Sequence, residues 1–313
     1  MTSVDRELVY IIIPVHNRKQ ITLKCLETLK QNGDMDKYYI VVVDDGSTDG
    51  TSEAIRSLYS QVTILHGDGN LWWTGGIKKG MEYAYQQGAE YIIWLNDDCL
   101  VTEKTLSDSI EFCQQNPNSI VGCQGFEEKA NTTLAFGGKY KTWKGYNLQS
   151  FPKDIVSPCD MLSGNLVVIH REIVARIGFP EPSLLPHYGG DTLFLIRARK
   201  AGFNIFVDTR HFLCNISGEP KLAPNRWLFK DGHPLVIFNL LFVPQSLLHW
   251  KVWFLLAWED YFVLGVLIFI VNYLRFVLIP VLTISILRLF PLSVRHRLHN
   301  WKSQITASEV NTI

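Results

Sequence analysis

A chain of 313 residues that is 47% hydrophobic and 19% charged can bury one large core or two modest ones, and it is too apolar to be largely disordered. Thirty Lys and Arg balance thirty Asp and Glu, which excludes the overall basic field of a nucleic-acid binder, so no nucleic-acid partner is expected. The six cysteines, at positions 25, 99, 113, 123, 159 and 214, form no CxxC pair and no zinc spacing, so buried free thiols in a reducing compartment are expected.

Residues 1–7 are polar and the apolar run behind them stops at Pro14, which is not a secretory signal, so the catalytic part is expected to face the cytosol. From Leu8 to about Gly125 strands and helices alternate. Residues 8–13, 39–43, 62–65 and 91–95 read as strands, and residues 19–30, 52–59, 76–87 and 103–115 read as helices. Continuous Val/Ile runs between helices argue for strands covered on both faces, hence an α/β fold with a doubly wound, mostly parallel sheet. After Gly125 the pattern loosens into short strands and turns, then tightens at residues 165–169, 171–177, 191–201 and 204–207. Such a second half usually adds a substrate wall to the first. The expected organisation is therefore one domain in two halves, 1–125 and 126–220.

A tail over 221–313 differs in composition. Its apolar runs, 235–243, 247–258, 261–274 and 276–287, are interrupted by Pro244, His249, Lys251, Glu259, Asp260 and Arg275. Each is shorter than the roughly 20 residues a spanning helix needs. Residues 261–287 suffice if Arg275 is tolerated, at about 2.5–3.5 kcal/mol. Membrane association is expected, and either spanning the bilayer or lying along it fits the lengths. Past Asp260 the single acid is Glu309, against Arg275, Arg288, Arg295, Arg297 and Lys302, and such basic flanks mark the cytosolic side.

Two strands end in carboxylates. Residues 39–43 run into Asp44 and Asp45 and the turn Gly46-Ser47-Thr48-Asp49-Gly50, and residues 91–95 run into Asn96-Asp97-Asp98. In open α/β sheets, ligands collect at the carboxyl ends of strands. Acids there suit a nucleotide held beside a metal-bound diphosphate. Taken singly, the first motif also fits a turn in which Ser47, Thr48 or Asp49 caps the next helix, and the second fits a plain strand-to-helix turn. Between them, residues 69–76 form a glycine-rich stretch entering a helix, where the main chain can approach a ligand and free N–H groups can face an anion.

The segments IIIPVHNR (11–18), VVVDDGSTDGT (41–51), GNLWWTGGIKKGM (69–81) and WLNDDCLV (94–101) resemble, in this order, the nucleotide-binding half of glycosyltransferase family 2, with the GT-A fold. MLSGNLVVIHREIVARIGFPEP (161–182) and YGGDTLFLIRARKAGFNIFVD (188–208) are similar to its acceptor half. The resemblance covers about the first 215 residues. It implies an inverting, metal-dependent glycosyltransferase that moves a sugar from a nucleotide-diphosphate donor to a saccharide or lipid-linked acceptor in cell-surface polysaccharide synthesis. The Trp-Trp-Thr-Gly-Gly loop looks most like rhamnosyl- or galactofuranosyl-type members.

Carried over by position, the resemblance implies donor contacts by Pro14, Val15, Asn17, Arg18, Asp44, Asp45, Asn70, Gly75, Gly76 and Asp97. Asp98 would be the direct ligand of a divalent cation, Mg²⁺ or Mn²⁺, for which hard carboxylate oxygens are suited. Asp191 would be the base that deprotonates the acceptor hydroxyl, although an Asp at a helix start also reads as an ordinary N-cap. Gly164, Asn165, His187 and Tyr188 would line the acceptor side. The family's metal-binding His, about twenty residues past the base, aligns with Cys214, with His211 three residues earlier, and a thiolate suits neither ion.

Three departures from the family pattern stand out: Trp72 where a glycine is usual, Asn96 for the first acid of the DxD-type motif, and Gly190 for the Glu of a Glu-Asp pair. Asn96 and Gly190 keep alive the alternative of an inactive nucleotide-sugar-binding membrane scaffold, whereas Trp72 bears on the sugar or base preference. A sugar-1-phosphate nucleotidyltransferase would need glycines in the first-strand loop that Pro14-Val15-His16-Asn17-Arg18 lacks.

Overall fold

The computed structural model describes residues 6–297 except 129, 144, 217–226, 230–232 and 234. The chain divides into two compact units, residues 1–218 and 219–313.

In the first unit, Val9–Val15 (β1), Tyr39–Asp44 (β2) and Tyr91–Leu95 (β4) are the continuous apolar runs, and nearly every residue in them is buried. Side chains alternate along β1 because the strand period is two. Ile11, Ile13 and Val15 pack in a core with Cys25, Leu26 and Leu29 of helix α1 (Lys19–Gln31). Ile12 points the other way, toward helix α4 (Trp72–Gln86), where a Cβ on Gly80 would collide with it. Between α1 and α4 in the chain lie α2 (Asp34–Lys37), α3 (Thr51–Leu58) and β3 (Thr63–His66).

The parallel set expected from the sequence is present in the order β4-β1-β2-β3. Beyond β4 the sheet is mixed. After β5 (Cys99–Leu100) and helix α5 (Thr105–Gln115) the chain forms β6 (Ser119–Glu127), β7 (Ala130–Phe136), and a hairpin of β8 (Lys139–Thr142) and β9 (Gly145–Leu148). β10 (Val156–Pro158) and β11 (Leu166–His170) precede helices α6 (Arg171–Ile177) and α7 (Gly190–Lys200), and β12 (Asn204–Asn215) follows. β11 runs antiparallel between β4 and β6, and β12 lies parallel to β6.

Two differences from the sequence reading have a packing cause. The strands expected from the sequence include none over 119–127, where β6 runs. Gly122 is required, because a Cβ there would lie 2.6 Å from the Leu166 carbonyl oxygen. Helix α4 begins at Trp72 and not at Gly76. Gly75 and Gly76 are therefore helical and buried, and a Cβ on Gly76 would sit 3.1 Å from Cβ of Pro14. All six cysteines are free thiols, and burial pushes Cys113 and Cys159 up to about 12.

The second unit contains α8 (Val236–Asn239), α9 (Trp250–Tyr261), α10 (Val263–Tyr273), a π-helical turn at Leu274–Leu278 and α11 (Ile279–Leu287). From Val263 to Leu287 the helix is unbroken for 25 residues, long and apolar enough to cross a membrane. Most of its apolar side chains are exposed, among them Leu264, Leu267, Ile279 and Ile286. Arg275 falls in the π turn with its guanidinium over the Phe276 ring. A small core of Ile237, Leu248, Tyr273, Val277, Val281 and Ile284 holds the unit together.

Candidate active site

The carboxyl ends of β1 and β2 present the first cluster. Val15 is a core residue, and its contribution to this edge is its carbonyl, which accepts the Asp45 N–H at 2.9 Å. Pro14 pairs with Val43 across the sheet and packs on Gly76. Asp44 is buried and holds its own turn, accepting from Ser47 N at 2.9 Å and from the Ser52 hydroxyl. Asp45 holds the glycine loop: Oδ1 accepts from Gly69 N at 2.8 Å and Oδ2 from Trp72 N at 2.9 Å. A carboxylate has roughly four acceptor positions, so each Asp45 oxygen can still take a donor from a base or ribose. Gly46 and Gly69 both have positive φ, and a Cβ on Gly46 would lie 3.0 Å from Gly69 N. The two turns thus meet backbone to backbone.

Asn17 ties the loop after β1 to the turn after β2. Its N–H donates to Ser47 Oγ at 2.8 Å, and its side-chain oxygen accepts from Thr48 N at 2.7 Å. His16, which the sequence reading did not use, donates from Nδ1 to the Asp45 carbonyl at 2.6 Å, and this assigns Nε2 as the acceptor for Asn17 Nδ2 at 3.0 Å. Asn70 is exposed, with its N–H on the Asp68 carboxylate at 2.9 Å.

The second cluster lies at the end of β4. Asp97 and Asp98 are both buried, 2% and 4% exposed, and burying carboxylates is costly unless their charge is met. Arg18, at the start of α1, meets it with a two-pronged pair, NH1 to Asp97 Oδ1 at 2.9 Å and NH2 to Asp98 Oδ2 at 3.0 Å. Burial opposes the guanidinium charge, but Asp97 and Asp98 outweigh it and its pKa is raised. Thr22, one helical turn after Arg18, donates to Asp97 Oδ2 at 3.1 Å. Burial raises the Cys99 thiol well above its usual value, so it stays protonated and donates to Asp98 Oδ1 at 3.6 Å.

The candidate base sits in the first turn of α7. Its N-cap is Gly189, so Asp191 is not the cap. Asp191 Oδ2 accepts from Gly164 N at 3.0 Å, and Oδ1 accepts from Thr192 N at 2.7 Å and Thr192 Oγ1 at 3.2 Å. Trp73 ties this side to the acid strand. Its indole N–H donates to Asn96 Oδ1 at 2.8 Å, and its ring covers Gly164 so closely that a Cβ there would lie 2.8 Å from Cζ2. Asn165 accepts Asn96 N at its carbonyl, 2.9 Å, and its side chain reaches Cys99 Sγ at 3.6 Å.

His187 and Tyr188 pack edge to face at 4.5 Å, and His187 lies edge-on to Trp72 at 5.7 Å. Burial raises the Tyr188 phenol. Trp72 has φ +54°, a left-handed conformation that costs a bulky residue roughly 1–2 kcal/mol, and this is why a glycine suits the position. Lys139 of β8 adds a cation that no sequence signal marks. Burial lowers its pKa while the charge of Asp191 works the other way.

Among the described residues no group of three or more His, Cys, Asp and Glu could hold a metal by itself. His211 is engaged with Asp108 at 2.8 Å, and Cys214 pairs with Leu100 across β12 and β5. The oxygens of Asp97 and Asp98 are hard ligands of the kind Mg²⁺ and Mn²⁺ favour, and such ions are commonly bound by one or two carboxylates with substrate phosphates completing the shell. The donor set therefore fits an ion that arrives with a diphosphate.

A parallel nucleotide-binding sheet carrying acids at two strand ends, with a third acid beside a mixed extension, defines a GT-A-like transferase architecture. Residues 10–176 match the family model described as Glycosyl transferase family 2. The chain belongs to glycosyl transferase family 2. It is 27% identical over 205 residues to Glycosyltransferase AglE of Haloferax volcanii, covering 63% of either chain. It is 25% identical over 179 residues to a UDP-N-acetylglucosamine–dolichyl-phosphate N-acetylglucosaminyltransferase of Methanococcus voltae, covering 47% of this chain and 70% of that one. The chain thus spans less than two thirds of the first of these relatives.

Two solved structures show the same fold. GalNAc-T7, crystallised with UDP, GalNAc and Mn²⁺, has a TM-score of 0.53 at 13% identity, covering 68% of this chain and 44% of that one. Residues 1–349 of S. aureus TarS have a TM-score of 0.50 at 17% identity, covering 80% and 70%.

Proposed function

We propose that this protein is an inverting glycosyltransferase that moves one sugar from a nucleoside-diphosphate donor to a saccharide or lipid-linked acceptor at the cytosolic face of a membrane. The observation that carries this reading is the Trp73 bridge, which draws Asn96, next to Asp97 and Asp98, and Gly164, which binds Asp191, onto one indole. Acids for the diphosphate and an acid for the acceptor are thereby gathered at one sheet edge.

In this reading Asp45 accepts donors from the base or ribose, and the loop it fixes at Gly69–Trp72 borders the diphosphate. Asp98 holds the divalent cation, with Asp97 in support, and the cation when bound neutralises charge on the leaving diphosphate. Asp191 has three of its roughly four acceptor positions taken by Gly164 and Thr192. The remaining one receives the proton of the acceptor hydroxyl as that oxygen attacks the anomeric carbon from the face opposite the diphosphate. One direct displacement inverts the configuration. The exposed helix Val263–Leu287 supports attachment to a membrane, and the dolichyl-phosphate-using relative favours a lipid-phosphate acceptor.

The test is a thermal-shift screen of UDP-, dTDP- and GDP-sugars with and without Mn²⁺. At least one nucleotide sugar should raise Tm, and more so with Mn²⁺, because a ligand that binds only the folded state stabilises it. A folded protein that responds to none of them refutes the reading.

A further inference from the structure

We infer that Trp72 is a specificity-determining residue on which the transferred sugar ring of the donor stacks; this rests on the glycosyltransferase reading above. The Trp72 backbone is in the left-handed region, φ +54°, and its N–H is fixed on Asp45 Oδ2 at 2.9 Å. Glycine would make the same turn and the same hydrogen bond without strain. The indole itself does not repay the conformation by full burial, since the residue is 41% exposed. Strain kept at a residue whose side chain faces solvent points to a ligand for that side chain.

The position identifies the ligand. The Trp72 backbone is anchored to the acid at the nucleotide end, while the next residue, Trp73, is anchored to Asn96 at the diphosphate end. On its other side the Trp72 ring meets His187, which meets Tyr188, three residues before the candidate base. An exposed indole between the nucleotide loop and the base segment, one residue from the indole that binds Asn96, lies where a sugar hangs from its diphosphate. A sugar ring presents an apolar C–H face that suits the negative face of an indole, and its hydroxyls suit the polar tips of His187 and Tyr188.

The experiment compares full-length wild type with Trp72→Gly and Trp72→Phe by calorimetric titration in Mn²⁺. The ligands are UDP-N-acetylglucosamine, UDP-galactose and dTDP-rhamnose, each set against bare UDP or dTDP. For whichever nucleotide sugar binds wild type, Trp72→Gly should weaken binding roughly tenfold, while the bare nucleotide changes by less than about twofold and Trp72→Phe retains most of the affinity. Equal losses for sugar and bare nucleotide would assign the side chain to the nucleotide and overturn the inference. Unchanged donor affinity would overturn it as well, including the case in which only the acceptor KM rises. Wild type that binds bare nucleotide but no nucleotide sugar at all defeats the glycosyltransferase reading, and this inference with it. Trp72→Gly is also expected to be no less stable than Trp72→Ala, a reversal of the usual order for helix residues that reports the left-handed backbone.

Discussion

Replacing Arg18 with Gln should turn a cation-indifferent protein into one stabilised by divalent ions. Asp97 and Asp98 are buried neighbours, and the guanidinium is bonded to both at 2.9 and 3.0 Å. Removing one partner of a buried ion pair typically costs about 3–5 kcal/mol. Arg18 keeps 31% of its side chain exposed, so water recovers part of that, and a loss of about 2–3 kcal/mol is expected. For a folding unit of this size that lowers Tm by about 5–10 °C. With the guanidinium gone, Asp97 and Asp98 offer hard oxygens to Mn²⁺, and an ion present at a hundred times its Kd restores about 2.7 kcal/mol. Melting curves of both proteins, with and without millimolar Mn²⁺ and without donor, measure this directly. Wild type should shift little and Arg18→Gln should regain most of its lost Tm. An equal Mn²⁺ response in both proteins would show that Arg18 does not compete for the acids, and an Arg18→Gln as stable as wild type would show that it does not compensate them.

Three further outcomes are expected. Asp191→Asn should leave donor affinity near wild type while the transfer rate falls by a factor of at least about 10², and turnover equal to wild type in a product assay would end the base assignment. Burial raises Asp34 to about 6. An acid raised in the folded state destabilises it as pH climbs from the unfolded value, near 4, to about 6, so Asp34→Asn should gain up to about 3 kcal/mol at pH 7.5 and nothing near pH 4; equal gains at both pH values in denaturant titrations would contradict the sign. A chain ended at residue 218, the limit of the first compact unit, should leave the membrane fraction on centrifugation. Full-length protein already in the supernatant would refute membrane attachment by the second unit.

The legible parts of the sequence are those whose signal is local. β1, β2 and β4 are unbroken aliphatic runs, and their ends place Asp45 and Asp98 without reference to anything distant. Thr22 was also within reach, one turn from Arg18 on the same helix face. Long-range pairing was not. Arg18 meets acids 79 and 80 residues away, and Lys139 comes to Asp191 from a hairpin whose own sequence shows short strands and turns but no partner. Glycine misled in both directions: Gly122 hides a central strand, and Gly75 and Gly76 suggest a loop where close packing on Pro14 and Leu71 demands them inside a helix. A glycine signals that space is short or that φ is positive, and composition does not tell these apart.

Each of the three departures from the family pattern is fitted to a neighbouring residue. Trp72 stands in a glycine's conformation with its ring against His187. Asn96, in place of an acid, accepts the indole N–H of Trp73 at 2.8 Å; an ionised carboxylate would accept the same bond, but it would add a third negative charge beside Asp97 and Asp98. Gly190, in place of Glu, faces Thr74, and a Cβ there would run into Thr74 Oγ1 and lie 2.8 Å from Cγ2. Thr74 is itself fixed by its N–H to the Pro186 carbonyl at 3.1 Å. Residues 72, 73 and 74 thus each meet one altered or adjoining position on the base side or the acid side. Decay of an abandoned active site would leave substitutions with no fitted partners. Three consecutive residues, 72, 73 and 74, are matched to separate parts of the site, and this weighs against an inactive scaffold.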